Sequence, residues 1–369
     1  MDLNFHYYVT YSAARRAGAS AGDARLIARA ARYVDECDGV TVQSASTIVF
    51  EDMLDVFDRS GAQRRTQALI WPVFHFLPGD YASFRGEMRG GQGPLTPEKM
   101  LICGPESKLA GAVVQGAKQS YDDGQDREKA LLRIGIAMHV LADTFAHQGF
   151  AGIASYDLNE VCQVKHIVPG KDAAPEDILD DVRYRPGDYS PAPTRSSFGY
   201  LGHGRIGTCL DLPCETLHYK AQWHGEGDPW ITRYNPVEFY CAYLQMTDAM
   251  RYILGGGEAA PFDVRMDRSA LIDQRGPQWE ETREMLGVFL RSASDEDLAS
   301  AWYDYTERAE QEAGGPGLWA AQPYEPFGGP KERGEQREKF LEAAKEHLTL
   351  VWDECQPLRD YIGGLAGGR

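Results

Sequence analysis

Apolar residues recur every third or fourth position in AGDARLIARAARYVDECDG, residues 21–39, leaving Arg, Asp and Glu on the opposite face of a 3.6-residue helix. Asp23 stands where it can cap the start and Gly39 where it can end the helix. The same periodicity predicts helices near 50–59, 105–121, 127–148, 236–254, 277–292, 295–313 and 334–361. VTVQSAS at 40–46 suits a strand or hairpin arm, but no set of alternating segments is able to build a sheet core. The expected fold class is mainly α.

Two stretches interrupt the helical pattern. Residues 71–100 contain WPVFHFLPGD and RGGQGP, and residues 153–235 are rich in Gly, Pro, Asp and aromatics. The second is far longer than an ordinary connection, and such segments in compact domains are commonly functional. Its Tyr, Trp, Phe and Cys content points to an ordered, packed loop. The last third is rich in Glu, Lys and Arg at helical spacing, and His347 is its one histidine. The expected organisation is a helical domain over 1–255, including the loop at 153–235, with a helical C-terminal extension over 256–369 packed on it. The boundary falls near GGGEAAPF at 255–262.

The predicted helix at 127–148 carries unusual chemistry. In HVLADTFAHQGFAG, residues 139–152, His139, Asp143 and His147 fall at roughly 0°, 40° and 80° around the axis, so they share a face. Met138, Val140, Leu141, Ala142, Phe145 and Ala146 make the helix apolar nearly all round, as in the centre of a bundle. An ionised carboxylate there is costly unless it is paired or metal-bound. The run is therefore either a hydrogen-bonded core triad or a set of ligands balanced by a divalent cation. Imidazole nitrogen and carboxylate oxygen suit zinc, iron or manganese. Other costly residues add to it: His6 in NFHYYVTY with Asp2 one turn before it, Asp35 and Asp38 closing the first long helix, and His75 in VFHFLPGD.

In chain order, His6, Asp35, His75, His139-x-x-x-Asp143 and His147, followed by a histidine in the long loop, resemble the ligand order of the zinc-dependent phospholipase C and P1/S1 nuclease superfamily. The likeness covers roughly residues 1–255. It implies an all-α bundle around a buried metal cluster and up to three zinc ions. One ion would be held by Asp35, His75, His139 and Asp143; a second would share Asp143 with His6; a third would use His147 with a later histidine and carboxylate. It also implies that Asp35 positions the attacking water. The segments FHYYVTY, ARYVDE, FHFLPG, HVLADTFAHQGFAG and GHG are similar, too, to a family of uncharacterised bacterial proteins, which brings no activity.

The chain departs from the superfamily pattern twice. The superfamily anchors one zinc through the amine and carbonyl of an N-terminal tryptophan, whereas this sequence begins Met-Asp, leaving Asp2 as a substitute ligand or that metal absent. The final histidine–carboxylate pair is also open: His203 with Asp211, Glu215 with His218 at a spacing suited to one helical face, or His224 with Asp228. Of these we favour His203 and Asp211. Arg205, beside His203, is the candidate for holding a substrate phosphate, and His166 and His347 read as solvated surface residues.

Composition narrows the partners. Lys and Arg total 38 against 55 Asp and Glu, a balance of −17, which argues against a surface that binds long nucleic acid by neutralising phosphates. No window is apolar enough for a membrane span, and the opening MDLNFHYYVTY lacks the regions of a secretory signal, so a cytoplasmic protein is expected. Seven cysteines without a CxxC pair favour free thiols. No GxSxG, Walker-type, GxGxxG or HExxH motif offers competing chemistry.

The expected function is a metal-dependent hydrolase acting on a small-molecule phosphoester through metal-activated water, with two or three zinc ions, or iron or manganese in their place. The alternatives are a non-haem iron oxygenase or oxidase, for which Glu215-x-x-His218 resembles half of a di-iron set, and a non-catalytic protein stapled by its metal.

Overall fold

The computed structural model describes residues 1, 4–37, 42–44, 47–48, 61–80, 96–167, 200–221, 230–255, 261–266, 284–285, 287–288, 300–302, 304–305, 324–327 and 334–367. Within them the architecture is mainly α, a multi-helix bundle with a helical C-terminal part. Its helices are α1 (Thr10–Arg16), α2 (Ala21–Glu36), α3 (Gly61–Phe74), α4 (Lys108–Asp122), α5 (Arg127–Ala146), α6 (Asn235–Leu254), α7 (Glu335–Glu354) and α8 (Gln356–Gly367). A π-helical turn, Phe5–Val9, leads directly into α1.

Helix α5 is the axis of the bundle. Every residue from Ala130 to Ala146 is buried, because α2, α4, α6 and α7 pack around it. The Asp126 side chain caps its start by accepting from the Lys129 N–H at 3.0 Å. Ser20 caps α2 through the Asp23 N–H at 3.1 Å, so Asp23 sits inside the first turn instead of capping it. That helix ends at Glu36, and Gly39 lies outside the described residues. The expected helix at 50–59 is also outside them, while the described parts of 277–292 and 295–313 are helical.

Three elements differ from expectation. The turn and helix over 5–16 were not legible, since FHYYVTYSAA is buried on nearly all sides and shows no polar stripe. Helix α3 runs through the start of the stretch read as irregular, with Pro72 in its last turn removing one helical hydrogen bond and disguising the pattern. The long loop contains a three-stranded antiparallel sheet in the order β3-β4-β5, where β3 is Val161–Ile167, β4 Thr216–Ala221 and β5 Ile231–Tyr234. These strands are short, and β3 lies far from its partner β4 in sequence, so no local alternation announced a sheet. The hairpin expected near 40–46 is present as β1 (Val42–Ser44) and β2 (Thr47–Ile48).

One apolar core runs from Met1 and Phe5 through α5 to Trp302, Phe340, Val351 and Leu358 of the C-terminal part. A smaller core under the sheet joins Phe76 and Phe150 to Val164, Leu217 and Tyr219. Six described cysteines are free thiols, and the Cys162 side chain lies outside the description. Among the described residues no helix is long and apolar enough to cross a membrane.

Gly135 sets the distance between α2 and α5. A Cβ at that position would run into the Ile27 carbonyl oxygen and the Ala30 side chain. One turn further on, the close approach lets His139 Nδ1 reach the Ala31 carbonyl at 2.8 Å. Gly135→Ala is expected to destabilise the fold by about 1–3 kcal/mol through overpacking. A lower melting temperature checks this, and an unchanged one would contradict the close helix contact.

Candidate metal centre

Helix α5 places His139 and Asp143 one turn apart, and His147 follows as the residue that caps its end, donating its N–H to the Asp143 carbonyl at 2.8 Å. Three histidines have their outer ring nitrogen tied to a main-chain carbonyl. His139 Nδ1 donates to Ala31 O at 2.8 Å, His147 Nδ1 to His75 O at 2.7 Å, and His203 Nδ1 to Gly207 O at 2.7 Å. A carbonyl only accepts, so each Nδ1 carries a hydrogen and each ring turns its Nε2 inwards, a bare lone pair wherever the ring is neutral. This is the orientation that metal-binding imidazoles adopt.

The bare nitrogens face carboxylate oxygens. His139 Nε2 is 3.2 Å from Asp143 Oδ2 and 3.2 Å from His75 Nδ1, which is itself 3.2 Å from Asp143 Oδ2. His147 Nε2 lies 3.0 Å from Asp211 Oδ1, and His203 Nε2 lies 3.5 Å from the same oxygen. Acceptors this close to acceptors need a proton or a cation between them. His6 makes the point separately: it is fully buried, stacks on His139 at 3.9 Å, and among the described residues has no hydrogen-bond partner at either ring nitrogen. Its Nε2 points at Asp143 Oδ1, 3.2 Å away, and at Asp35 Oδ2, 3.8 Å away.

Donor atoms gather into three groups, each with its members within 4.8 Å of one another: His6, His139 and Asp143; Asp35, His75 and His139; and His147, His203 and Asp211. These buried or partly buried groups are able to bind a metal ion. The donor set passes the chemical test, being five imidazoles and three carboxylates with an orphaned buried histidine among them. The Met1 amine stands between two groups, 2.7 Å from Asp143 Oδ1 and 3.4 Å from Asp211 Oδ1.

Electrostatics follow from this crowding. Burial alone would raise the Asp143 carboxyl, but His147, the Met1 amine, His139 and His6 overcome it and hold the group well below the usual carboxylate range. Asp35 and Asp211 are lowered in the same way, against burial, chiefly by His139 and by His203 respectively. The Met1 amine is pulled down by burial yet pushed up to about 11 overall by Asp143, Asp211 and Asp35. His6 moves the other way, to about 3, because burial, His139 and the Met1 amine all oppose its charged form. Solvent reaches part of the centre: the side chains of Asp35, Asp211 and His203 are 22 %, 19 % and 14 % exposed, against 1 % for Asp143.

All eight residues read from the sequence as ligands, His6, Asp35, His75, His139, Asp143, His147, His203 and Asp211, thus meet in one place. Others do not. Arg205 is buried, its Nε donating to Glu160 Oε1 at 2.8 Å, so its charge is balanced by a structural carboxylate. Glu215 and His218 are not on a helix; His218 lies in β4, stacked on Trp230 at 4.5 Å and bonded to Thr232 Oγ1. His347, read as a surface residue, is fully buried, because its helix face packs against α5 and α3. Asp2, Asp38, His224, Asp228 and the His166 side chain lie outside the described residues.

Several supporting residues carried no sequence signal. Asn159 bonds the main chain of Ala151, Ile153 and Tyr200, delivering the 200–207 turn with His203 to His147. Asn235 Nδ2 donates to Cys209 O and Leu212 O, fixing the turn that carries Asp211, and Arg233 ties Asn235 to the end of α5 through Phe145 O. Phe76 stacks on His147 at 4.4 Å and leaves no room for a Cβ at Gly202, which sits at φ +54° beside His203. An asparagine or glycine of this kind is recognisable only once its distant partners are known.

A family model described as "Family of unknown function (DUF6765)" matches residues 1–355. No curated protein and no solved structure matches the chain.

The lowered His6 implies a pH dependence in chelator-stripped protein. Its imidazole titrates near 6.5 when unfolded and near 3 in the fold, so unfolding takes up a proton between those values. Stability should therefore fall as the pH drops below about 6.5, by about 1.4 kcal/mol per pH unit for one such group. The lowered carboxylates add nothing to this slope until the pH nears their unfolded values around 4. Urea midpoints measured from pH 7.5 to 5 check it, and a flat profile would contradict a neutral, buried His6.

Proposed function

The chain belongs to the DUF6765 family, whose description assigns no activity, and from its own donor groups we propose that it is a metal-dependent phosphoester hydrolase. The observation that carries the reading is the convergence of imidazole nitrogens and ionised carboxylates at hydrogen-bond distance, with the His6 ring making no hydrogen bond among the described residues. Five imidazoles against three carboxylates favour zinc over the hard cations magnesium and calcium. Two or three zinc ions fit three adjoining groups, two of which share His139. Closely spaced divalent ions make water a nucleophile near neutral pH and stabilise charge on the attacking and leaving oxygens of a phosphoester.

The residues divide the remaining work. Asp143, nearly without solvent access, faces His6 and Met1 with one oxygen and His75 and His139 with the other, and so joins two groups. Asp35 keeps solvent access while Arg32 Nη1 holds its Oδ2 at 2.7 Å, which aims the carboxylate. An ionised carboxylate there accepts a hydrogen bond from water and orients it, and its lowered pKa makes it an orienting group more than a proton store. Asp211 and His203 mark the open side on which a small substrate would arrive. The balance of −17 fits a small phosphoester better than a polyanion.

The reading is tested on protein purified without a metal-affinity tag. Elemental analysis is expected to give two or three zinc per chain, and aryl phosphate mono- or diesters should be hydrolysed, with activity lost to a chelator and restored by zinc. Two irons per chain would favour oxygen chemistry, and bound metal without hydrolysis a structural staple. Asp35→Asn should lower kcat by about 100-fold or more. Asp143→Ala should abolish metal binding and cost about 3–5 kcal/mol of stability, since it leaves buried groups unpaired.

A further inference from the structure

Helix α7 reaches towards the metal centre through one buried histidine. Arg133 of α5, 2 % exposed, places Nη1 2.8 Å from His347 Nδ1. A guanidinium can only donate, so His347 Nδ1 must be the acceptor and the ring hydrogen must sit on Nε2. That Nε2–H donates to the Val73 carbonyl at 3.0 Å. Val73 lies in the last turn of α3, where main-chain carbonyls lack helical donors, and His75 follows two residues later. His147 Nδ1 holds the His75 carbonyl at 2.7 Å. The peptide segment that carries His75 is therefore gripped at both ends by histidines from other helices, and the Phe74 ring between them lies 5.1 Å from the His347 ring.

The arrangement is a poor choice for stability alone. A buried guanidinium facing an imidazole is desolvated; Glu346 favours its charge, but among the described residues no carboxylate forms an ion pair with it, and apolar pairs of similar size generally serve a core better. Burial lowers the Arg133 guanidinium to about 10, which still leaves it charged. Burial and Arg133 together keep His347 neutral, as an acceptor at Nδ1 must be. What the pair supplies is one oriented N–H.

We infer that His347, its tautomer set by Arg133, is a positioning residue that holds the Val73–His75 turn so that His75 Nδ1 meets the Asp35 and His139 donors. This rests on the metal-binding reading above. It assigns the C-terminal helix a part in building the site, although that helix contributes no ligand to the three groups.

Three variants test it: His347→Phe, His347→Gln, and the double variant Arg133→Met/His347→Phe. Zinc stoichiometry and affinity are read by competition with a chromophoric chelator, coordination by the visible absorption of cobalt-substituted protein, and fold stability by the melting temperature of stripped protein. His347→Phe should weaken the ion at the Asp35/His75/His139 group by about 10-fold or more, the scale of a lost outer partner. Glutamine keeps a donor near Nε2 and should recover affinity. The double variant removes both buried polar partners; it should recover the melting temperature but neither the affinity nor the cobalt spectrum. If His347→Phe does not fold, the glutamine and double variants carry the comparison, and glutamine should bind the more tightly. Recovery of affinity by the double variant, or wild-type affinity in His347→Phe, would overturn the inference. Wild-type protein that binds no divalent ion would instead overturn the metal reading itself.

Discussion

A carboxylate buried in the last turn of a largely apolar helix is the constraint around which this molecule is organised. Asp143 has almost no access to water, and its two oxygens face His6, His75, His139 and the Met1 amine. Left alone, such a charge would be protonated or would unfold its surroundings. Groups from three separate parts of the chain face it. The need to keep it ionised explains why the N-terminal turn, the end of α3 and helix α5 meet at one point.

A second layer converts this crowding into directed chemistry. Main-chain carbonyls of Ala31, His75 and Gly207 each take the Nδ1 hydrogen of a histidine, so the opposite nitrogen is left bare and aimed inwards. The bond from His147 to the His75 carbonyl links two donor groups: the histidine that presents itself to Asp211 also steadies the backbone of a histidine in the neighbouring group. Folding and donor placement are thus one event, because the same hydrogen bonds that close helix ends and turns also select tautomers. A cation would complete the set by separating acceptors that the fold has already brought together.

The legible part of this centre was legible because of incompatibility. His139, Asp143 and His147 stood out through the apolar residues around them, and His6 and His75 through the same contrast in shorter stretches. Their order along the chain suggested the ligand set, and the eight residues do converge. His347 went the other way: next to Glu346, in a segment rich in charge, it had the look of a solvated residue, yet its helix face turns it fully inwards. Arg205 had the right neighbour for a substrate role, but Glu160, 45 residues away, holds its guanidinium. No local pattern encodes either partner.

The sequence by itself determined the helical class, the central helix and which costly polar residues stand in apolar runs, since periodicity and such contrasts are local properties. Tertiary structure alone decided what depends on distant segments meeting. It set the sheet inside the long loop, where β3 pairs with a strand about fifty residues on, and the meeting of His203 and Asp211 with His147, which Asn159 and Asn235 support by gripping main-chain atoms. It also decided the place of the Met1 amine and the grip of His347 on the turn before His75. The physical reason is the same throughout: a hydrogen bond or an ion pair is specified by two partners, and only one of them is ever visible in a local stretch of sequence.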